Sequence, residues 1–350
     1  MSKDNRFDIL RLFAAWLVLF NHAYPLAGLA GADPLTLWLK IDTSGGLGVA
    51  IFFAVSGYLV TISLQNSRSL EDFLRRRVLR IYPALVAVTL ICMLVLGPLV
   101  TTLPLRGYFS SGASWNYLET ATGLKIIYAL PGVFEGNPAR GAVNGSLWSL
   151  PIELRCYIAL AVLSLLPLSI RIKALLAVGV LSMLMMARPL VPPASVATPF
   201  FELDYYDTKL GLMFAIGASL AAWRERLNPL AWHAMGVMAL LVLVVAWVLP
   251  FGVPQLFLYT AAIPVFILWL ALYGKFLPQL PQRMGDWSYG TYLYAFPIQQ
   301  LLTQYQAHTL GTAAYVLLGT ALTFVCAACS WHFIEKPAIR FKYAGKAATH

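Results

Sequence analysis

Arg11 and His22 stand eleven residues apart in the first apolar run of the chain. Eleven helical steps make three full turns plus about 20°, so the two side chains share a face about 16 Å apart along the axis. Asp8, three residues before Arg11, is placed to pair with it. An ionisable side chain within a span is costly, which makes it a functional candidate. Histidine is the side chain best suited to take a proton near neutral pH. The alternative is Arg11 snorkelling to the headgroups and His22 as an interfacial polar residue.

A second constellation lies in Asn144-Gly145-Ser146-Leu147-Trp148-Ser149-Leu150-Pro151-Ile152-Glu153-Leu154-Arg155-Cys156-Tyr157. Glu153 and Arg155 are two apart on a helix and cannot face each other. Each needs a partner elsewhere. A carboxylate at the depth of Glu153 could orient the ring of His22, or Glu153 and Arg155 could serve structural interhelical pairs. A third group is Arg75-Arg76-Arg77 with Arg80. It reads either as inner-side charge bias or as an anion site, with Arg77 and Arg80 three apart at a helix start. Gly45 and Gly46 suit close helix packing, whereas Ser56-Gly57 could line a cavity. Ser288, Tyr289 and Tyr292 are polar but cheap to bury, and interfacial tyrosines are common anchors.

The elements that position these residues follow from composition. Of 350 residues, 59% are hydrophobic and 11% charged, against about 25% charged in soluble domains. This excludes a disordered chain, a coiled coil and an ordinary cytosolic enzyme. Each span needs roughly 20 apolar residues, and the hydropathy predicts ten: 7–26, 46–64, 79–100, 146–166, 172–188, 207–223, 232–250, 255–273, 288–305 and 310–333. The first run is long and has no A-x-A site in place, so it reads as a span rather than a cleaved leader. With the N-terminus inside, inner segments hold 17 of the 25 basic residues and outer segments 6. That asymmetry predicts an all-α integral membrane protein with both termini cytoplasmic. The net charge of +10 therefore needs no nucleic acid. Four cysteines in apolar runs give no disulfide framework. Cys326 and Cys329 form a C-x-x-C without a second pair for zinc, and read as buried small residues. Two long outer loops, 101–145 and 189–206, carry Trp115, Tyr117, Glu202 and Asp204, with Tyr205, Tyr206 and Asp207 following. These are sugar contacts or an aromatic belt.

In order along nearly the whole chain, these stretches resemble the acyltransferase type 3 family of membrane acyltransferases. The resemblance is carried by Phe7-Asp8-Ile9-Leu10-Arg11 with His22, and by Gly46 to Leu59 with Phe52-Phe53 and Ser56-Gly57. It continues through Arg77 and Arg80 leading into Ile81-Tyr82-Pro83, Leu147 to Glu153, Ser288 to Pro297, and Phe333-Ile334-Glu335-Lys336-Pro337. The sequence departs from the family where many members carry a histidine two residues before the proline of the ninth span; here that residue is Ala295.

The resemblance implies transfer of an acyl group, with acetyl the expected one, from cytoplasmic acyl-CoA to a sugar hydroxyl of an exported polysaccharide or lipid-linked glycan precursor. It implies a bacterial inner membrane, no metal, and one transmembrane domain over 1–350 with no appended soluble domain. His22, Glu153 and Arg11 are the expected catalytic residues. His22 acts as general base or carries the acyl group covalently. Arg76, Arg77, Arg80 and Ser56 are expected on the CoA donor, and Asp8, Asn21, Trp148 and Tyr289 on the acceptor. Membrane lipids are further expected partners, and an oligomer is open. The alternative is a glycan or lipid-linked sugar transporter, which has no use for CoA.

Overall fold

The computed structural model describes residues 6–187, 205–281 and 284–344. Glu202, Asp204 and the Arg188-Pro189 end of the fifth expected span lie outside the described residues. Among the described residues the chain is helical, with a lone β-bridge between Ala129 and Ala142 and no strand. Ten long helices among the described residues overlap the ten expected spans. They are α1 (Phe7–Leu26), α2 (Ser44–Gln65), α3 (Leu70–Ile91), α4 (Leu150–Ser164), α5 (Ile170–Ala187), α6 (Tyr205–Trp223), α7 (Pro229–Val248), α8 (Val253–Tyr273), α9 (Ser288–Gln304) and α10 (Thr312–Ser330). Five-residue π-helical turns, Cys92–Leu96 and Trp331–Glu335, extend α3 and α10.

Eight of these helices are long and apolar enough to cross a membrane. The two that fall short are α6, which carries Asp207 and Lys209, and α9, which has 17 residues including Ser288, Thr291, Gln299 and Gln300. Both are buried along most of their length by other helices. A helix wrapped by protein can carry polar side chains that lipid would not tolerate.

The chain divides into two compact units. The first comprises residues 1–14, 38–70 and 152–279. Its centre is the packing of α2 on α6. A Cβ on Gly57 would lie 2.1 Å from the Phe214 carbonyl oxygen, and one on Gly217 would lie 2.4 Å from that of Ala54. Backbones approach this closely only where side chains are absent. Thr43 caps α2 by accepting from the Gly46 amide at 2.8 Å. Asp42 just before it pairs with Lys209 of α6 at 2.6 Å. The start of α1 is tied to α8, with the Arg6 amide donating to the Ala271 carbonyl at 2.9 Å.

The second unit comprises residues 15–37, 71–151 and 280–350. Here the second half of α1 is fastened to α9 and α10. The Gln299 amide donates to the Leu19 carbonyl at 3.0 Å, Thr303 to that of Leu26 at 3.2 Å, and the Trp16 indole to Thr320 at 3.3 Å. Residues 101–145, expected as a loop, contain short helices Leu105–Ser110 and Gly112–Asn116 and a 3-10 turn Tyr117–Thr122. Tyr108 anchors them by donating from deep burial to the Met93 carbonyl at 2.8 Å. Asn137 bonds both oxygens of Gln300, which in turn donates to Ala139 and Ala142. The four cysteines are free, as expected, but only Cys92 is buried; Cys329 is exposed on α10.

Candidate functional site

His22 sits near the C-terminal end of α1, in the second unit. Its Nδ1 lies 3.4 Å from the Ser146 hydroxyl, a long hydrogen bond. Phe296 of α9 meets the imidazole edge to face at 5.1 Å. Among the described residues no hydrogen bond reaches Nε2. Ser146 belongs to a 3-10 turn, Gly145–Ser149, that leads into α4. Pro151 has no N–H to give, which suits the first turn of α4, and the tighter turn ahead of it satisfies the entering backbone. Gly145 lets the turn meet α9: a Cβ there would lie 2.6 Å from the Phe296 ring. Tyr292 completes the cluster. Its hydroxyl donates to the Ser146 carbonyl and lies 3.0 Å from Ser149 Oγ. Asn144 donates to the Leu293 carbonyl at 2.9 Å, while its buried Oδ1 has no hydrogen-bond partner among the described residues.

The same α1 carries Arg11 in its first half, in one unbroken helix with His22. Arg11 is half-buried and Asp8 exposed. Asn21 reaches Asp33 at 3.0 Å. Asp33 is buried and caps the short helix Pro34–Leu39 through the Leu35 and Thr36 amides. Asn21 therefore supports a turn, a role that its position beside His22 did not reveal. Trp148 lies half-buried in the turn that presents Ser146.

Glu153 lies on α4 in the first unit. Its Oε1 accepts from Ser56 of α2 at 3.0 Å and from Tyr157 one turn along, and the two hydroxyls are 2.8 Å apart. Ser56 and Glu153 thus come together, although the sequence placed one on the donor and the other at the catalytic centre. Tyr157, at the end of the quoted motif, closes the triangle. Its i, i+4 spacing from Glu153 was the signal available.

Arg155 finds its partner in Asp207 of α6 at 2.5 Å. This corrects the reading of Asp207 as a sugar contact: its side chain is only 4% exposed and held in an ion pair. Tyr117 is corrected likewise, since it is 1% exposed. Burial, together with the neighbouring Cys92, pushes its phenol well above the usual range. Trp115 remains exposed, with its indole donating to the Phe109 carbonyl at 2.9 Å.

The arginine cluster of α3 is largely matched by carboxylates. Arg76 is bonded to Asp72 one turn earlier. Arg80 meets Asp286, which also accepts from the Ser288 amide at the start of α9, and Glu335 at 3.5 Å. The Tyr289 and Trp331 rings lie 5.8 and 6.0 Å from its guanidinium, and Tyr289 donates to the Ile81 carbonyl at 3.1 Å. Arg80 and Tyr289, expected on different substrates, thus form one junction of α3, α9 and α10. Charge-assisted bonds of this kind fix helix ends. The geometry also takes Arg76 and Arg80 up with carboxylates of the chain itself. Arg75 remains half-exposed, and Arg77 lies half-buried between them.

Comparison with known proteins bears on what this arrangement does. A family model described as an acyltransferase domain matches residues 4–332. The chain is 29% identical over 342 residues to an O-acetyl transferase of Shigella phage Sf6, covering 96% of both chains. It is 30% identical to nodulation protein 10 of Rhizobium leguminosarum bv. viciae, covering 97% of this chain and 94% of that one. It is 26% identical to the peptidoglycan O-acetyltransferase OatA of Listeria monocytogenes, covering 86% of this chain and 52% of the relative. No solved structure matches. With the family's pattern running through both units and a multi-pass helical fold to hold it, the chain belongs to the acyltransferase type 3 family and is an acyltransferase.

Proposed function

We propose that the protein is an O-acyltransferase of a bacterial inner membrane, moving an acetyl group from cytoplasmic acetyl-CoA to a sugar hydroxyl of an exported polysaccharide or its lipid-linked precursor. The observation that carries this reading is His22: a histidine within a span, its Nδ1 against Ser146 and, among the described residues, no hydrogen bond at Nε2. The names of the relatives, two of them O-acetyltransferases, support the acyl group and the oxygen acceptor.

Two routes use Nε2. In the first, the acceptor hydroxyl gives its proton to Nε2 as its oxygen attacks the thioester carbonyl; the C–S bond breaks and the CoA thiolate takes that proton from the ring. In the second, Nε2 attacks the thioester, CoA leaves as the thiol, and the acyl-imidazole then passes its acyl group to the hydroxyl, which returns a proton to the ring. Ser146 orients the ring through Nδ1 in both. Arg11, on the same helix but about 16 Å along its axis from His22, grips the pantetheine side of the donor as it threads toward the histidine. Glu153 holds its charge at a fixed place through Ser56 and Tyr157. Arg77, Arg80 and Arg76 contact the donor phosphates, with Asp72, Asp286 and Glu335 fixing the guanidinium groups of Arg76 and Arg80. Asp8 and Trp148 serve the acceptor.

The test supplies purified protein in detergent with acetyl-labelled acetyl-CoA and a crude extract of cell-surface glycan. Base-labile label on the glycan is the expected result. Glycan carried across proteoliposome membranes with no ester formed would overturn the reading in favour of a transporter.

A further inference from the structure

The first unit contains a groove that takes no part in the chemistry described above. It runs between α4, α5 and α6 and has a volume of about 180 Å³. Its walls are apolar, formed by residues such as Ala159, Phe214 and Ala215. On α4 the lining residues recur along one face from Ile152 to Leu163, a length of about 16 Å. At one end stands the Arg155–Asp207 pair, which neutralises itself. At the other end stands Lys173, near the start of α5.

Lys173 is the informative residue. It is 93% buried, and its ammonium donates to the Ser164 carbonyl at 3.2 Å. Among the described residues no carboxylate lies within ion-pair distance of it. A buried cation without a counter-charge is costly unless an anion completes it. The outward side of α5 is apolar and exposed, with Leu175, Leu176, Val180 and Met183 all more than half exposed. A groove beside such a helix is reached from the bilayer.

We infer that this groove is a binding site for one anionic phospholipid, an acyl chain lying along α4, α5 and α6 and the phosphate meeting Lys173 where α4 ends and α5 begins. The length, the apolar walls and a single cation at one end match one chain and one charged head. The inference does not depend on the acyl-transfer reading.

The test reconstitutes the purified protein in nanodiscs holding a phosphatidylglycerol or a phosphatidylcholine, each with a photoreactive group on one acyl chain. Crosslinked peptides are mapped by mass spectrometry. We expect phosphatidylglycerol to label α4, α5 and α6, Lys173→Gln to cut that labelling about fivefold, as loss of one lysine–headgroup contact does, and phosphatidylcholine to label as weakly as the variant. Ala215→Phe, which fills the groove, should remove labelling by both lipids. If Ala215→Phe fails to fold, Lys173→Gln with the headgroup comparison still decides. Equal labelling by both lipids, unchanged in Lys173→Gln, would overturn the proposal. So would labelling displaced by a lipid-linked glycan extract but not by unlabelled phosphatidylglycerol.

Discussion

The role proposed for His22 rests on what surrounds it. One ring nitrogen is against Ser146, one face is closed by Phe296, and Ser146 is itself gripped through its carbonyl by Tyr292. A proton-transfer group contributes about 10²-fold or more, whereas one orienting hydrogen bond is worth about tenfold. Tyr292→Phe should therefore lower kcat about tenfold with little change in KM for acetyl-CoA; an unchanged kcat would dissociate the tyrosine from the histidine. Tyr157→Phe and Ser56→Ala each remove one of two donors to Glu153 Oε1. Their effects should be less than additive in a double-mutant cycle, since both act on the same oxygen. The sequence marked His22, Glu153 and Ser56 because ionisable and polar groups within spans stand out. It named Ser146 and Tyr292 only as members of polar stretches; that their groups meet beside His22 is decided by packing, which joins residues 146 positions apart. It placed Asn21 beside His22, and the contact that packing adds is a bond back to Asp33.

At the level of elements, two features hold the first unit. The α2–α6 contact depends on Gly57 and Gly217, where an added Cβ would meet backbone oxygen rather than a movable side chain. Overpacking of this kind costs about 1–3 kcal/mol, so Gly57→Ala and Gly217→Ala should each lower the thermal midpoint by several degrees, read by tryptophan fluorescence in detergent. The Arg155–Asp207 pair joins α4 to α6. Removing one partner of a buried pair costs about 3 kcal/mol or more, while replacing both with apolar residues can be nearly neutral. Asp207→Asn should thus destabilise more than the Arg155→Met, Asp207→Leu double variant; the reverse order would show that the pair is not buried in solution. Hydropathy placed these helices well, because a run of apolar residues is legible one residue at a time. The identity of partners was not, because Arg155 and Asp207 are 52 residues apart and only packing joins them. The same limit applies to Arg80: its spacing from Arg77 suggested a phosphate, and nothing along the chain showed that Asp286 and Glu335 also reach it from distant segments.

At the scale of the molecule, eight helices among the described residues suffice by length and composition to cross a membrane, and α6 and α9 are long helices whose polar residues are sheltered by protein. Summing hydropathy along the chain cannot separate a lipid-facing helix from one wrapped by others, which is why ten runs looked alike. The basic residues still predict both termini inside. A fluorescent-protein fusion at the C-terminus should glow and an alkaline phosphatase fusion there should be inactive; the opposite pattern would invert the topology and move Arg77 away from cytoplasmic CoA. Whether His22 performs the transfer is decided by one comparison. Wild type and His22→Ala are purified, matched for elution profile and thermal midpoint, and given labelled acetyl-CoA with glycan extract. Wild type should form the ester, and the variant should lose about 10²-fold or more of that rate. A His22→Ala protein that transfers acetyl at the wild-type rate would contradict this role for His22.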